Sequence, residues 1–116
     1  MEKLTVYQKP TCSKCRETLA ILREAKANFV TIDYFANPLT VATIRRLVKK
    51  LGVRPRDLLR SGEEIYKRLE LSKKEMTDDE LIRIMVLYPD LIQRPIIEKG
   101  EQAVLGRPPE NVKALL

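Results

Sequence analysis

Both cysteines of the chain lie in the segment Lys9-Pro10-Thr11-Cys12-Ser13-Lys14-Cys15-Arg16, between a strand pattern and a helix pattern. Residues 4–7 alternate apolar and polar side chains, as a half-buried strand does. After the segment, Cys15, Leu19 and Leu22 recur at the spacing of one helix face, which predicts a helix to about residue 26. The pattern therefore predicts a strand-to-helix unit with a C-x-x-C motif at the start of the helix.

The rest of the chain predicts one more strand, a run of helices, and a hairpin. Residues 29–34 are rich in aromatic and β-branched side chains and predict a strand parallel to the first, if the intervening helix is a right-handed crossover. Helical spacing dominates residues 37–93, where Gly52 is a predicted helix stop and Thr77-Asp78-Asp79-Glu80 has the spacing of a capping box. Two strands at 95–98 and 102–105, a turn at 99–101 and a last helix at 109–115 complete the prediction. The order indicates a small mixed sheet with helices packed on it.

Composition and charge limit the kinds of partner that the chain is expected to bind. A chain of 116 residues is the size of one domain. Residues 1–60 carry 13 Lys and Arg against 5 Asp and Glu, whereas residues 61–116 carry 9 against 11. The basic half contains the cysteines, so we expect an anionic small molecule as partner. A nucleic acid is not expected, because only two Phe, four Tyr and no Trp could stack on bases. We expect a cytoplasmic protein without a membrane segment.

Two alternatives to redox chemistry apply to the cysteines. A structural zinc site needs four Cys or His ligands, but the chain has two cysteines and no histidine, so zinc would need carboxylates or a second chain. A buried, inert pair is the other alternative. Cys15 fits that alternative because it shares a helix face with Leu19 and Leu22. Cys12 does not, because it lies at the junction where backbone N–H groups of the first helical turn point outward.

The absence of histidine constrains how a reactive cysteine can work. No imidazole can accept the thiol proton, so an active cysteine must already be ionised. A thiol with a pKa near ~8.5 is about 3% thiolate at pH 7, and lowering that pKa by ~2 makes it about three-quarters ionised. A helix N-terminus contributes only ~0.3–1 kcal/mol, so further cations are needed. Lys9, Lys14 and Arg16 are local candidates, although each could equally be a solvated surface charge.

Three arginines have settings that suit an oxyanion site. Arg94 and Arg107 each precede a proline, which tends to hold the arginine extended, and both border the predicted hairpin. Arg60 follows the predicted helical turn Leu58-Leu59. Guanidinium groups bind oxyanions in bidentate fashion and keep their proton, so several near Cys12 would bind a tetrahedral oxyanion and favour the thiolate. Spacing alone does not bring them together, and each also fits a surface arginine.

The chain resembles the ArsC-type arsenate reductase family over nearly its whole length. The segments that carry the resemblance are YQKPTCSKCRETLAIL, IDYFANPLT, LGVRPRDLLRSGEEIYKRL, MTDDELIRIMVLYPDLIQRPII and VLGRPPENVKALL. The resemblance implies an α/β, thioredoxin-like fold, in which helices flank a small mixed β-sheet and a helical insertion interrupts the chain. It also implies a single domain, residues 1–116, with the insertion at about 37–93.

The resemblance also implies roles for particular residues. Cys12 matches the nucleophile that attacks arsenate, and Arg60, Arg94 and Arg107 match the arginines around that cysteine and its oxyanion. Pro95 matches a cis-proline facing the active-site loop, and we expect Arg16 to support the site. The implied activity is that of an arsenate reductase without a bound cofactor or metal, supplied with electrons by glutathione and glutaredoxin or by thioredoxin.

Cys15 departs from the glutathione- and glutaredoxin-coupled members of the family, which lack a cysteine at that position. It could be a resolving thiol that closes a Cys12–Cys15 disulfide. It could also be a redox switch, as in the related Spx-type regulators, which bind the RNA polymerase α subunit. A general glutaredoxin-like thiol oxidoreductase is a third alternative. The GRPPENV ending, which includes Arg107, is similar to the reductase branch and favours an enzyme.

Overall fold

The computed structural model of the chain describes residues 3–116, so residues 1 and 2 of the predicted domain lie outside the described residues. The strands are β1 (Leu4–Gln8), β2 (Phe29–Asp33), β3 (Ile96–Lys99) and β4 (Gln102–Leu105). The α-helices are α1 (Ser13–Glu24), α2 (Val41–Leu51), α3 (Glu64–Arg68) and α4 (Asp78–Leu87). Short 3-10 helices span Pro55–Leu58, Pro89–Leu91 and Pro109–Leu115.

The chain forms two compact units. The first contains residues 3–37 and 94–116, and with them the sheet, α1 and the closing 3-10 helix. The second is Pro38–Gln93, which contains α2, α3 and α4. Its bounds lie close to those of the helical insertion expected at about 37–93, whereas the single-domain organisation stays a prediction.

The sheet of the first unit has the strand order β2-β1-β3-β4. β1 and β2 are parallel, as the sequence predicts from the crossover helix α1, and Leu4 lies opposite Phe29. β3 runs antiparallel to β1 and forms a hairpin with β4. Gly100 in the hairpin turn has φ of 58°, a left-handed conformation that glycine adopts without steric cost. This mixed sheet with flanking helices confirms the predicted α/β, thioredoxin-like architecture.

The prediction that β1 is half-buried is wrong, because β1 has buried side chains on both of its faces. Its neighbours β2 and β3 cover its two edges, and Leu4, Val6, Tyr7 and Gln8 are all buried. A hydrophobic core joins this strand to α1 and to the end of the chain. The buried members are Leu4, Val6, Leu19, Leu22, Ile97, Val112 and Leu115. The last predicted helix is present as a 3-10 helix rather than an α-helix.

The second unit contains the helices that the sequence marks most clearly. α2 begins after Thr40, whose hydroxyl accepts a hydrogen bond from the N–H of Thr43 at 3.1 Å, and it ends at Gly52 with φ of 69°. α4 begins with a capping box, in which the N–H of Glu80 donates to the hydroxyl of Thr77 at 3.2 Å. The predicted stop at Gly52 and the predicted capping box at Thr77 are both confirmed.

Gly106 allows the end of β4 to approach the start of β3 and helix α1. Its N–H donates to the carbonyl of Pro95 at 2.8 Å. A Cβ on Gly106 would lie 2.7 Å from Cγ of Pro95 and 2.9 Å from Oγ1 of Thr18. Both distances are shorter than real Cβ atoms show, so a side chain at this position requires one of these neighbours to move.

We predict that Gly106→Ala lowers the free energy of unfolding by about 1–3 kcal/mol, because the added methyl group overpacks a buried contact. Gly62→Ala is the matched control, since no atom lies within 4 Å of its Cβ position. Urea unfolding of both variants with equal m-values measures the difference. Equal midpoints for the two variants would contradict the close packing around Gly106.

Candidate active site

Cys12 is the N-cap residue of helix α1, at the end of the turn that follows β1. The N–H of Cys12 donates to the carbonyl of Lys9 at 2.9 Å, and the carbonyl of Cys12 accepts the first helical bond from Arg16 at 3.1 Å. The first turn of α1 contains no acidic residue. The partial positive charge of this helix end is therefore not neutralised by a neighbouring carboxylate.

The surroundings of Cys12 lower the pKa of its thiol. Partial burial alone would raise the pKa. That effect is outweighed by the backbone N–H of Cys15, the thiol of Cys15, the backbone N–H of Lys14 and the charge of Arg107. All four favour the charged form of the sulfur, so the half-exposed Cys12 is the thiol of the pair that ionises first.

Cys15 is buried on the inner face of α1 with 0% of its side chain exposed, as its position with Leu19 and Leu22 predicts. Burial, a hydrogen bond to Cys12 and the Cys12 charge raise the pKa of Cys15 to about 12. The backbone N–H of Lys9 and the charge of Arg94 oppose this rise. Because Cys15 keeps its proton, its S–H can donate to the Cys12 thiolate, and the two cysteines are chemically unequal.

Arg94 and Arg107 lie at the two ends of the β3–β4 hairpin and are joined to each other. Nε of Arg107 donates to the backbone carbonyl of Arg94 at 2.8 Å. Arg94 is buried, with 5% of the residue exposed, and Arg107 is half-buried. The charge of Arg107 lowers the pKa of Cys12 and that of Arg94 opposes the rise in the pKa of Cys15, so both cations of the first unit lie near enough to influence the ionisation of the thiol pair.

Two cis peptide bonds border the hairpin. The Arg94–Pro95 bond is cis, the conformation that the resemblance implies for Pro95. The Arg107–Pro108 bond is also cis, which the sequence reasoning did not predict although the residue pair is of the same type.

The other cations named from the sequence have different settings. Arg16 is exposed in the first turn of α1. Lys14 forms an exposed ion pair with Glu17, with 3.5 Å between Nζ and Oε2. Nζ of Lys9 lies 4.6 Å from the ring centroid of Phe35. Among these three, Lys9 therefore has an aromatic contact that the sequence reasoning did not identify.

Arg60 belongs to the second unit, and its part in the site stays a prediction. Its backbone N–H donates to the carbonyl of Leu91 at 2.8 Å, and its Nε forms an ion pair with Oε1 of Glu63 at 3.1 Å. Nη1 of Arg60 is buried and makes no hydrogen bond within residues 3–116. This Nη1 is thus a buried donor without an acceptor among the described residues.

Phe35 is the residue near these groups that sequence reasoning missed. Besides Lys9, Cζ of Arg94 lies 5.5 Å from the centroid of its ring. A signal was present in the sequence, since two adjacent aromatic residues, Tyr34 and Phe35, follow a strand parallel to β1. Residues after β1 and β2 lie at the same edge of the sheet.

The described residues lack the features of a metal site and of a membrane span. Residues 3–116 contain no cluster of three or more Cys, Asp or Glu side chains arranged to hold a metal ion. Across the same described range, every helix is too short or too polar to cross a membrane.

Several known proteins are similar to the chain over nearly its whole length. The chain is 36% identical to an arsenate reductase of Haemophilus influenzae over 112 residues, covering 96% of this chain and 97% of that protein. It is 31% identical to an arsenate reductase of Neisseria meningitidis over 117 residues, covering all of both chains. The solved structure of an arsenate reductase from Vibrio cholerae superposes with a TM-score of 0.94 at 39% identity, covering 99% of this chain and 98% of that one.

The model of the ArsC family matches residues 7–115, a range that includes both cysteines and all three arginines named above. The fold, the relatives and this match agree over nearly the full length of the chain. The chain therefore belongs to the ArsC family.

Proposed function

We propose that this chain is an arsenate reductase whose nucleophile is Cys12. The observation that carries the proposal is the lowered pKa of Cys12, at the N-terminus of α1 and beside Arg107. A lowered pKa raises the fraction of thiolate, which can attack an electrophilic oxyanion without a histidine to accept its proton. The names of the relatives, which are arsenate reductases, supply the substrate.

Arsenate binding is assigned to Arg94 and Arg107, with Arg60 as the predicted third ligand. The hydrogen bond from Arg107 to the Arg94 carbonyl fixes the side chain of Arg107 while leaving its Nη atoms for an oxyanion. Burial of Arg94 excludes water, which strengthens its attraction for an anion.

The reaction begins when the Cys12 thiolate attacks arsenic and displaces one oxygen as water or hydroxide, which forms a sulfur–arsenic(V) bond. A second thiolate then attacks the Cys12 sulfur. A disulfide forms, the sulfur–arsenic bond breaks, and its electron pair leaves with arsenic as arsenite. Arsenic gains two electrons and the two thiols lose them. Glutaredoxin or thioredoxin reduces the disulfide and restores the enzyme.

Cys15 is the second thiol in this proposal. Its hydrogen bond to Cys12 indicates that the two sulfurs are neighbours. Two of the causes that raise the pKa of Cys15, the hydrogen bond and the charge of Cys12, disappear once Cys12 is bonded to arsenic. The charge of Arg94 still favours ionisation. Burial, the largest cause of the raised pKa, remains, and the bound oxyanion carries negative charge of its own, so Arg94 is the group that favours the Cys15 thiolate at this stage. Glutathione is the alternative second thiol.

The C-x-x-C motif also supports a second candidate, a Spx-type redox switch that binds the RNA polymerase α subunit. A reversible Cys12–Cys15 disulfide would serve such a switch without turnover. A general glutaredoxin-like oxidoreductase would reduce thiol substrates without arsenate. We favour the reductase because Arg94 and Arg107 place fixed positive charge beside the thiol pair. The cytoplasmic location stays a prediction.

The enzyme proposal predicts arsenate-dependent oxidation of NADPH when the chain is coupled to glutathione and glutaredoxin or to thioredoxin. We expect Cys12→Ser to abolish turnover and Arg107→Ala to lower kcat/KM by about 10- to 100-fold, the effect of losing a charge-assisted hydrogen bond. Arg23→Gln, in the last turn of α1, is the matched control for lost positive charge. Absence of turnover with both couples, together with binding to the RNA polymerase α subunit, would favour the regulator.

The lowered pKa predicts the order and pH dependence of alkylation. Because the Cys12 pKa lies below the ordinary value and the Cys15 pKa is about 12, Cys12 should react with iodoacetamide at a lower pH than Cys15 does. Reactivity should rise with pH through the Cys12 pKa and then level off. Arg107→Gln removes a cation that lowers this pKa, so its profile should move to higher pH. Arg23→Gln should leave the pH profile unchanged. Preferential labelling of Cys15 would refute the assignment of Cys12 as the more acidic thiol.

The electron route is tested with Cys15→Ser, which keeps a hydrogen-bond donor to Cys12 but removes the second sulfur. We expect this variant to lose turnover with thioredoxin, because no intramolecular disulfide can form. Its Cys12 alkylation profile should stay close to that of the unchanged chain, whereas Cys15→Ala should shift the profile upward. Unchanged turnover with glutathione and glutaredoxin would identify glutathione as the second thiol.

A further inference from the structure

The segment after β2 holds Phe35 in a defined position at the sheet edge that carries the Cys12 turn. Oδ1 of Asp33 accepts hydrogen bonds from the backbone N–H of Phe35 at 3.0 Å and of Ala36 at 3.4 Å. The carbonyl of Asp33 accepts a third, from the N–H of Asn37 at 2.9 Å. These bonds form a turn around one carboxylate, which fixes the backbone on both sides of Phe35.

The ring of Phe35 is supported by its neighbour. The ring of Tyr34 is fully buried, and its centroid lies 5.0 Å from that of Phe35 at an interplanar angle of 31°. The backbone N–H of Tyr34 donates to the carbonyl of Gln8 at 3.4 Å, which ties this segment to the end of β1. An aromatic contact at this separation limits how far the Phe35 ring can move.

Two cations from different parts of the chain meet this ring. Nζ of Lys9, in the turn before Cys12, lies 4.6 Å from its centroid, and Cζ of Arg94 lies 5.5 Å from it. Both distances fall within the roughly 6 Å over which an aromatic face attracts a cation. Lys9 and Arg94 repel each other, and their shared attraction to the ring opposes that repulsion.

We propose that Phe35 is a positioning residue for the oxyanion site: its ring holds Lys9 and Arg94 together before the anion arrives. The inference rests on the proposed function, which assigns oxyanion binding to Arg94, and it adds Lys9 as a further cation of that site. Phe35 does not itself touch the reacting atoms. The ring holds the two positive charges in place before the anion binds. Loss of the negative face of the ring should therefore weaken anion binding and mainly raise KM.

The test uses a graded series at position 35. Phenylalanine is replaced by its mono-, di- and trifluorinated analogues, which reduce the negative charge of the ring face with little change in shape. Phe35→Leu removes the aromatic face, and Phe35→Tyr keeps it. The chain has only one other phenylalanine, Phe29 in β2, so the same analogues at position 29 provide a matched control.

Calorimetric binding of inorganic arsenate to the Cys12→Ser chain, which cannot react, is the first measurement. We expect affinity to fall stepwise with fluorination, by about 2- to 30-fold overall, and to be retained by Phe35→Tyr. Fluorination at position 29 should leave the affinity for arsenate unchanged. In chains with Cys12 present, KM should rise more than kcat falls. A flat series at position 35 in a chain that binds arsenate would overturn the inference.

A second measurement separates this inference from the proposed function. If the Cys12→Ser chain does not bind arsenate, the proposed function fails, and the role of Phe35 is judged from the side-chain NMR signals of Lys9 and Arg94. Ring-current shifts in these signals that disappear in Phe35→Leu and persist in Phe35→Tyr support the shared aromatic contact. Identical shifts in Phe35→Leu and the unchanged chain would overturn it.

Discussion

The stabilisation of negative charge on the Cys12 sulfur is the interaction on which the rest of the site depends. The chain contains no histidine, so fixed groups must hold this charge in place of a mobile base. The backbone N–H groups of Lys14 and Cys15 come from the first turn of α1, and a cation comes from Arg107 after β4. Local helix geometry therefore supplies part of the stabilisation, and the tertiary fold supplies the rest.

The β3–β4 hairpin brings the tertiary part of this stabilisation to the thiol pair. Its first end carries Arg94 and its second end carries Arg107, and the hydrogen bond from Nε of Arg107 to the Arg94 carbonyl joins them. Gly106 makes this approach possible, because a side chain there would collide with Pro95. The packing at the hairpin ends therefore affects the position of the charge near Cys12. A substitution that disturbs this packing should also change the pKa of Cys12.

Local signals predicted much of the fold, whereas features that depend on distant residues were harder to predict. The buried helix face that contains Cys15 and the helix ends at Thr77 and Gly52 are each set by residues close in sequence. The structure confirms all three predictions. The burial of β1 depends on strands far along the chain, so its alternating pattern was misleading. Spacing alone could not bring Arg94 and Arg107 together; only the family resemblance implied their meeting. Phe35 was missed because its cationic partners are distant in sequence: Lys9 follows β1, and Arg94 precedes β3.

The two thiols should differ in acidity, with Cys12 ionised first and Cys15 holding its proton. A pH titration followed by NMR, with carbon-13 at the Cβ of both cysteines and assignment from Cys15→Ser, measures this difference directly. We expect one transition below the ordinary cysteine pKa for Cys12 and a second near 12 for Cys15. Two transitions at the ordinary pKa, or the lower one belonging to Cys15, would contradict it.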